Sequence, residues 1–195
     1  MAAGAEQERE QQRSNQGAHR TPDPEEVEFS TYRRSGTQTT MARIETYRDE
    51  YRSEFERLNR DWIEAFFVLE DADREIFRQP DKAVIEPGGE IFFVVDDDGV
   101  QGTCAVVPHE PGVFEIAKMA VAPGARGRGY GDLLMEASVE FARRAGARRV
   151  VIVSNTVLAP AIRLYRKHGF VQVPLEEHER FARANIRLER ELGAG

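Results

Sequence analysis

Apolar residues recur along this chain at two periods. Between Asp49 and Leu69 the large apolar positions are Tyr51, Phe55, Leu58, Trp62, Phe66 and Leu69, three or four residues apart. That spacing predicts a helix burying one stripe. A shorter helix follows from about Asp71 and stops at Pro80, whose ring cannot continue the ladder. Arg43-Ile44-Glu45-Thr46-Tyr47 alternates instead, and reads as a short strand. Ile91-Phe92-Phe93-Val94-Val95 is an unbroken apolar run, predicting a strand closed by the polar tip Asp96-Asp97-Asp98-Gly99. Residues 100–107 return as its partner, Pro108 to Gly112 turns, and Phe114 to Val121 is the next strand.

Beyond a glycine-rich segment at 124–131, Leu133, Leu134, Ala137, Phe141 and Ala145 mark a second long helix, stopped near Gly146. Val150-Val151-Ile152-Val153 is wholly apolar, as suits a strand between two neighbours. Pro160 opens a helix carrying Ile162, Leu164 and Tyr165, and Gly169 closes it. Strands near 170–174 and 183–190 complete the chain. The order β-α-α-β-β-β-α-β-α-β-β predicts an α/β (α+β) fold, with helices packed around one mixed sheet.

The first 40 residues do not share this patterning. Glu, Gln, Arg, Ser, Thr, Gly and Pro dominate, and Val27, Phe29 and Tyr32 are nearly the only large apolar residues after Met1. Such a segment buries too little surface to offset its ordering entropy. The expected organisation is therefore a disordered tail over 1–40 and one domain over 41–195. Formal charge is −7, from 27 Lys and Arg against 34 Asp and Glu. An acidic chain gains little from counterion release, so no nucleic-acid partner is expected. No apolar run approaches the ~20 residues of a membrane span, and no apolar signal core follows Met1. With Cys104 as its single cysteine, the chain cannot form an internal disulfide, which suits a reducing compartment. These features predict a cytoplasmic protein with no membrane contact.

Candidate chemistry concentrates in Val121-Ala-Pro-Gly-Ala-Arg126-Gly127-Arg128-Gly129-Tyr130-Gly131. A strand enters a glycine-rich turn that opens a helix. Glycines let the backbone approach an anion closely. The first amides of the helix converge on it, and the helix dipole adds positive potential. Arg126 and Arg128 add charge suited to phosphate, so the segment predicts a pyrophosphate site. A Walker loop needs Gly-Lys-Ser/Thr, which is absent. A Rossmann fingerprint needs Gly-x-Gly-x-x-Gly after a first strand, and here the glycines are at 127, 129 and 131 after several strands.

Arg126-x-x-Gly129-x-Gly131 resembles the coenzyme A pyrophosphate motif of the GNAT superfamily of N-acetyltransferases. Ala161-Ile-Arg-Leu164-Tyr165-Arg-Lys-His-Gly169-Phe170 is similar to that family's late helix and its Leu-Tyr…Gly-Phe ending. The resemblance covers about residues 42–191 and includes element order. It implies a GNAT-type acyl-CoA N-acyltransferase fold with a central, mostly antiparallel sheet. The implied activity is direct transfer of an acetyl group from acetyl-CoA to a primary amine, with no metal. In that family the strand before the loop splays from its neighbour and pairs with pantetheine, which assigns Met119, Ala120 and Val121 to the cofactor. Gly127 and Tyr130 fall within the same loop and are assigned with it.

The resemblance further implies that Tyr165 lies near the thioester sulfur, where a phenol is a reasonable proton donor to a thiolate. Glu115, at the start of the central strand, is implied as the base that deprotonates the amine, with His109 and His178 as weaker candidates. Asn155 departs from the family's spacing, lying ten residues before Tyr165, but is still assigned to coenzyme A. Cys104 and Trp62 read as core residues, and Asp96-Asp97-Asp98 as a solvated hairpin tip. An acyl-CoA-binding sensor without catalysis, and transfer to a protein amine instead of a small molecule, are the alternatives. The resemblance leaves the acceptor, the acyl chain length and the oligomeric state open, a homodimer among the options.

Overall fold

The computed structural model describes residues 41–175 and 181–193. The expected tail over 1–40 and His178 lie outside the described residues. Seven strands form one sheet: β1 Arg43–Glu45, β2 Glu90–Asp96, β3 Gly99–Glu110, β4 Val113–Val121, β5 Arg149–Ser154, β6 Val171–Val173 and β7 Ile186–Glu191. Their spatial order is β1-β2-β3-β4-β5-β7-β6. Every pairing is antiparallel except β4 with β5. The helices are α1 Arg52–Phe66, α2 Asp71–Arg78, α3 Tyr130–Arg144 and α4 Ala159–Lys167. Element order agrees with the sequence reading.

Both faces of the sheet are covered, which explains the unbroken apolar run in β2. Phe92 and Val94 point into a core shared with Leu134, Met135 and Phe141 of α3. Ile91, Phe93 and Val95 point into a second core, with Phe55 and Ile63 of α1 and Phe77 of α2. Phe92 and Phe114 both meet Phe141 edge to face, at 5.8 and 6.2 Å between ring centroids.

The structure departs locally from the expected elements. The first turn expected of α1 is a 3-10 turn over Asp49–Tyr51, and the α-helix begins at Arg52. After α2 the chain winds one π turn, Asp81–Ile85. β3 runs through Pro108 to Glu110 where a turn is expected, and the β3–β4 register shifts between Pro108 and Glu110. Proline lacks the N–H that an unbroken ladder would need, so it sits at such an irregularity. The hairpin tip is only partly solvated. Asp97 and Asp98 are exposed, but Asp96 is buried and accepts a hydrogen bond from the Tyr130 hydroxyl at 2.6 Å.

Candidate active site

Two features of β4 open a cleft in the sheet. The first is its short parallel pairing with β5, over only Val113–Arg149, Phe114–Val150 and Glu115–Val151. Beyond Glu115 the two strands pair no further among the described residues. The second is a bulge. Ala117 pairs with Ala105 and Ala120 with Thr103, so Lys118 and Met119 together oppose the single residue Cys104. Lys118 has φ +52°, the only non-glycine in the left-handed region among the described residues. A cleft of about 590 Å³ runs along this opened edge.

At one end of the cleft is the glycine-rich turn, and its three glycines do different work. Gly127 and Gly129 have φ of +76° and +87°, a conformation that disfavours a side chain. Gly129 caps α3, and its carbonyl accepts from Asp132 and Leu133. That leaves the amides of Tyr130 and Gly131, the first two of α3, without a carbonyl partner in the helix. Gly131 is instead a contact point: a Cβ there would lie 3.0 Å from a Leu164 methyl, so it lets α3 and α4 approach. Arg128 leans toward the β2–β3 hairpin, 3.5 Å from Asp96 and 3.9 Å from Asp98. Arg126 is exposed and its Nε donates to the Val121 carbonyl at 3.4 Å. Tyr130 is 4% exposed and braces the turn through Asp96. The hairpin carboxylates thus hold the turn from behind.

Midway along the cleft, Tyr165 of α4 is 7% exposed. Burial raises its pKa above the ordinary phenol value; Cys104 adds to the rise and a hydrogen bond with Ser154 opposes it. Tyr165 therefore keeps its proton through the neutral range. Cys104 is fully buried, with its thiol pushed up to about 12 by burial against a hydrogen bond from Ser138. It is a core residue, as expected. Asn155 holds two loops together: its amide donates to the Arg183 carbonyl at 2.6 Å and accepts from the Val157 N–H at 2.9 Å.

The other end is walled by side chains. Leu58, Asp61, Trp62, Phe66 and Phe67 come from α1 and its exit, and Phe181, Arg183 and Ala184 from the segment before β7. Glu115 and Lys118 reach this end from β4. Phe55, on the same helix, does not line the cleft and is core. Lys118 is 7% exposed and donates to Asp73 of α2 at 2.5 Å. Burial lowers the Lys118 pKa to about 8 against the pull of Asp73. Burial alone would raise the Asp73 carboxyl, but its bonds from Arg183 and Lys118 prevail and hold it at about 2.

Glu115, Met119, Ala120, Val121, Arg126, Gly127, Arg128, Gly129, Tyr130, Gly131, Asn155 and Tyr165 all line this one cleft. His109 does not; it is exposed at the end of β3. Sequence reasoning missed Lys118, Asp73 and Arg183. Lys118 left one trace, a charge where the apolar pattern of β4 breaks. Asp73 lies three residues after Glu70, the spacing of a capping box, which Glu70 and Asp73 do form.

Comparison with known proteins agrees with this geometry. The acetyltransferase (GNAT) family matches residues 43–170. A mycothiol acetyltransferase of Corynebacterium glutamicum is 32% identical over 92 residues, covering 47% of this chain and 32% of that protein. A streptothricin acetyltransferase of Streptomyces lavendulae is 46% identical over 81 residues, covering 40% of this chain and 43% of that protein. The chain thus spans less than half the length of either relative. Among solved structures, a GNAT-family acetyltransferase from Staphylococcus aureus Mu50 superposes with a TM-score of 0.72 at 14% identity, over 78% of this chain and 99% of that one. A phosphinothricin acetyltransferase from Sinorhizobium meliloti, solved with acetyl-CoA, gives 0.64 at 19% identity, over 78% and 89%. These two show a shared fold.

Proposed function

Because the chain belongs to the acetyltransferase (GNAT) family, we propose that it transfers an acetyl group from acetyl-CoA directly to a primary amine of a small molecule. The observation that carries the reading is the cleft itself: an unpaired strand edge with an anion-binding helix start at one end and a carboxylate at the other. Along β4, the main chain of Met119, Ala120 and Val121 is the edge available to pantetheine. The turn at 126–131 offers the pyrophosphate main-chain amides without Cβ bulk. The bound thioester supplies an activated acyl group.

The residues of this chain then divide the proton work. An alkylammonium of pKa ~10 must lose a proton before it can attack. Glu115, on the acceptor side of the bulge, takes that proton. A backbone N–H of β4 polarises the carbonyl being attacked. Tyr165 keeps its proton and directs it at the departing sulfur. Because its pKa exceeds that of a thiol of ~8.5, it acts chiefly as a hydrogen-bond donor to the thiolate. Holding both reactants in one cleft supplies much of the rate. The aromatic wall of Trp62, Phe66, Phe67 and Phe181 favours a small, partly apolar acceptor over a protein chain.

The test is release of free thiol from acetyl-CoA across a panel of amino acids, arylalkylamines, diamines and peptides with free lysines or N-termini. Release with a small amine is the expected result. Binding of acetyl-CoA without release on any acceptor overturns the reading in favour of a sensor. Release with peptides alone moves the acceptor to a protein.

A further inference from the structure

The acceptor end of the cleft converges on one carboxylate that does not line it. Asp73 is fully enclosed, and among the described residues its polar contacts are charged or main-chain. Its Oδ2 accepts the Glu70 N–H at 3.0 Å, closing the capping box of α2. Its Oδ1 accepts Lys118 Nζ at 2.5 Å. The Arg183 guanidinium straddles both oxygens at 2.7 Å each.

The two cations come from different walls of the cleft. Lys118 belongs to the bulge in β4, 45 residues away in sequence, and Arg183 to the segment before β7, 110 residues away. Their charges are balanced locally, since Arg183 also pairs with Glu70 at 2.9 Å. Glu70 in turn accepts the Ala182 N–H at 3.0 Å and the Arg183 N–H at 3.4 Å. The Phe181 ring meets both cations, Lys118 Nζ at 3.9 Å and the Arg183 guanidinium at 4.5 Å from its centroid.

Two arguments make this more than packing. Apolar residues of similar volume would fill a buried site at equal or lower free-energy cost than an ion cluster, so the cluster's distinctive contribution is direction and distance. In addition, Lys118 holds a left-handed backbone, a conformation that is unfavourable for a residue with a side chain. Such a conformation persists only where its surroundings impose it, and Asp73 accepts the hydrogen bond from its Nζ. We infer that Asp73 is a positioning residue for acyl transfer: through Lys118 it fixes the bulge of β4 against which the thioester carbonyl lies, and through Arg183 it fixes the wall against which the amine binds. The inference rests on the acyltransferase reading above.

The two arms are separable by kinetics. The measurements are calorimetric affinity for acetyl-CoA, thiol release by transfer to water with no amine present, and initial rates with the best amine of the panel. Lys118→Met should lower kcat and transfer to water together by about tenfold or more, with the amine KM little changed. Arg183→Gln should raise the amine KM by about tenfold, with a smaller effect on kcat and on transfer to water than Lys118→Met has. Asp73→Asn, which keeps the volume and removes the charge, should do both. All three should bind acetyl-CoA within about twofold of wild type.

Wild-type kcat and KM in folded Asp73→Asn overturn the inference. If that variant does not fold, the single-arm variants decide: identical kinetic patterns in Lys118→Met and Arg183→Gln overturn it. A wild-type protein that releases no thiol on any amine overturns the acyltransferase reading itself, an outcome distinct from active variants that match an active wild type.

Discussion

The two ends of the cleft are built from different materials. The end assigned to the pyrophosphate is made of main chain: two glycines in left-handed conformation, a third at a helix contact, and the first turn of α3. The acceptor end is made of side chains held by buried charge, with Asp73, Lys118 and Arg183 at its centre. A main-chain site depends on local sequence, because a short run of residues fixes its φ and ψ. A side-chain site depends on contacts between distant segments. One end can therefore serve a common donor while the other is respecified by substitutions in α1, α2 and the segment before β7.

The sharpest way to break this division is to change one end and measure the other. Glu115→Gln keeps size and removes the proposed base at the acceptor end. Turnover with amine is expected to fall by roughly 10²–10⁴, and the acidic limb of the pH–rate profile should disappear. Acetyl-CoA affinity should not move. Wild-type turnover in this variant would place the base elsewhere on the acceptor wall.

Gly129→Asp attacks the donor end. The φ of +87° is tolerated by Asp better than by most residues with a side chain. The fold should therefore survive. The carboxylate would face the amides proposed for the pyrophosphate, and competition together with like charge should weaken acetyl-CoA binding by roughly a hundredfold. Titration calorimetry on protein of unchanged melting temperature measures this. An unchanged Kd would remove the pyrophosphate from this turn.

Acid should loosen the acceptor end. The Asp73 carboxyl is held at about 2 against its usual 3.8. A depressed carboxylate contributes stability that is complete above its unfolded pKa and is lost as pH falls through the folded one. The shift corresponds to about 2 kcal/mol, lost between about pH 5 and pH 2. Urea unfolding of wild type and Asp73→Asn across that range isolates it. The stability gap between them should narrow by about 2 kcal/mol as pH falls. A constant gap would mean that Asp73 is not held charged by its partners.

The same contrast explains what the sequence disclosed. Arg126, Gly129 and Gly131 are close neighbours on a strand–turn–helix junction, so spacing alone pointed to an anion. Tyr165 came from the family resemblance of a second local run, the one ending at Gly169 and Phe170. Asp73, Lys118 and Arg183 each read as an ordinary charge, because only the folded chain brings residues 45 and 110 positions apart onto one carboxylate. Asp96 was misread for a related reason. Three consecutive aspartates look solvated, and the buried one is distinguished only by Tyr130, 34 positions away. The extension of β3 through Pro108 likewise depends on a register shift against β4, which no pattern within β3 announces.

Tyr165→Phe tests the junction between the two ends, and its expected effect is the smallest. The substitution removes one oxygen from a buried ring at the middle of the cleft. Because burial keeps the phenol's pKa above its ordinary value, Tyr165 should remain protonated through the neutral range and offer a hydrogen bond to a thiolate that is itself the weaker base. Losing such a bond should lower turnover by about tenfold, equivalent to 1.4 kcal/mol. Ground-state binding of acetyl-CoA should stay the same, since charge gathers on sulfur only as the thioester breaks. The raised pKa adds a second expectation. Wild-type turnover should show no alkaline inflection from this tyrosine below about pH 10. An acyl donor whose thiol has a lower pKa needs less stabilisation on leaving, so the gap between wild type and Phe should shrink with it. A purely structural tyrosine gives the inverse: stability falls by ~1 kcal/mol with the lost hydrogen bond, while turnover per folded molecule and its dependence on the leaving group stay as in wild type. That result would leave Tyr165 to the core and assign the hydrogen bond to the departing sulfur to water entering along the open edge of β4.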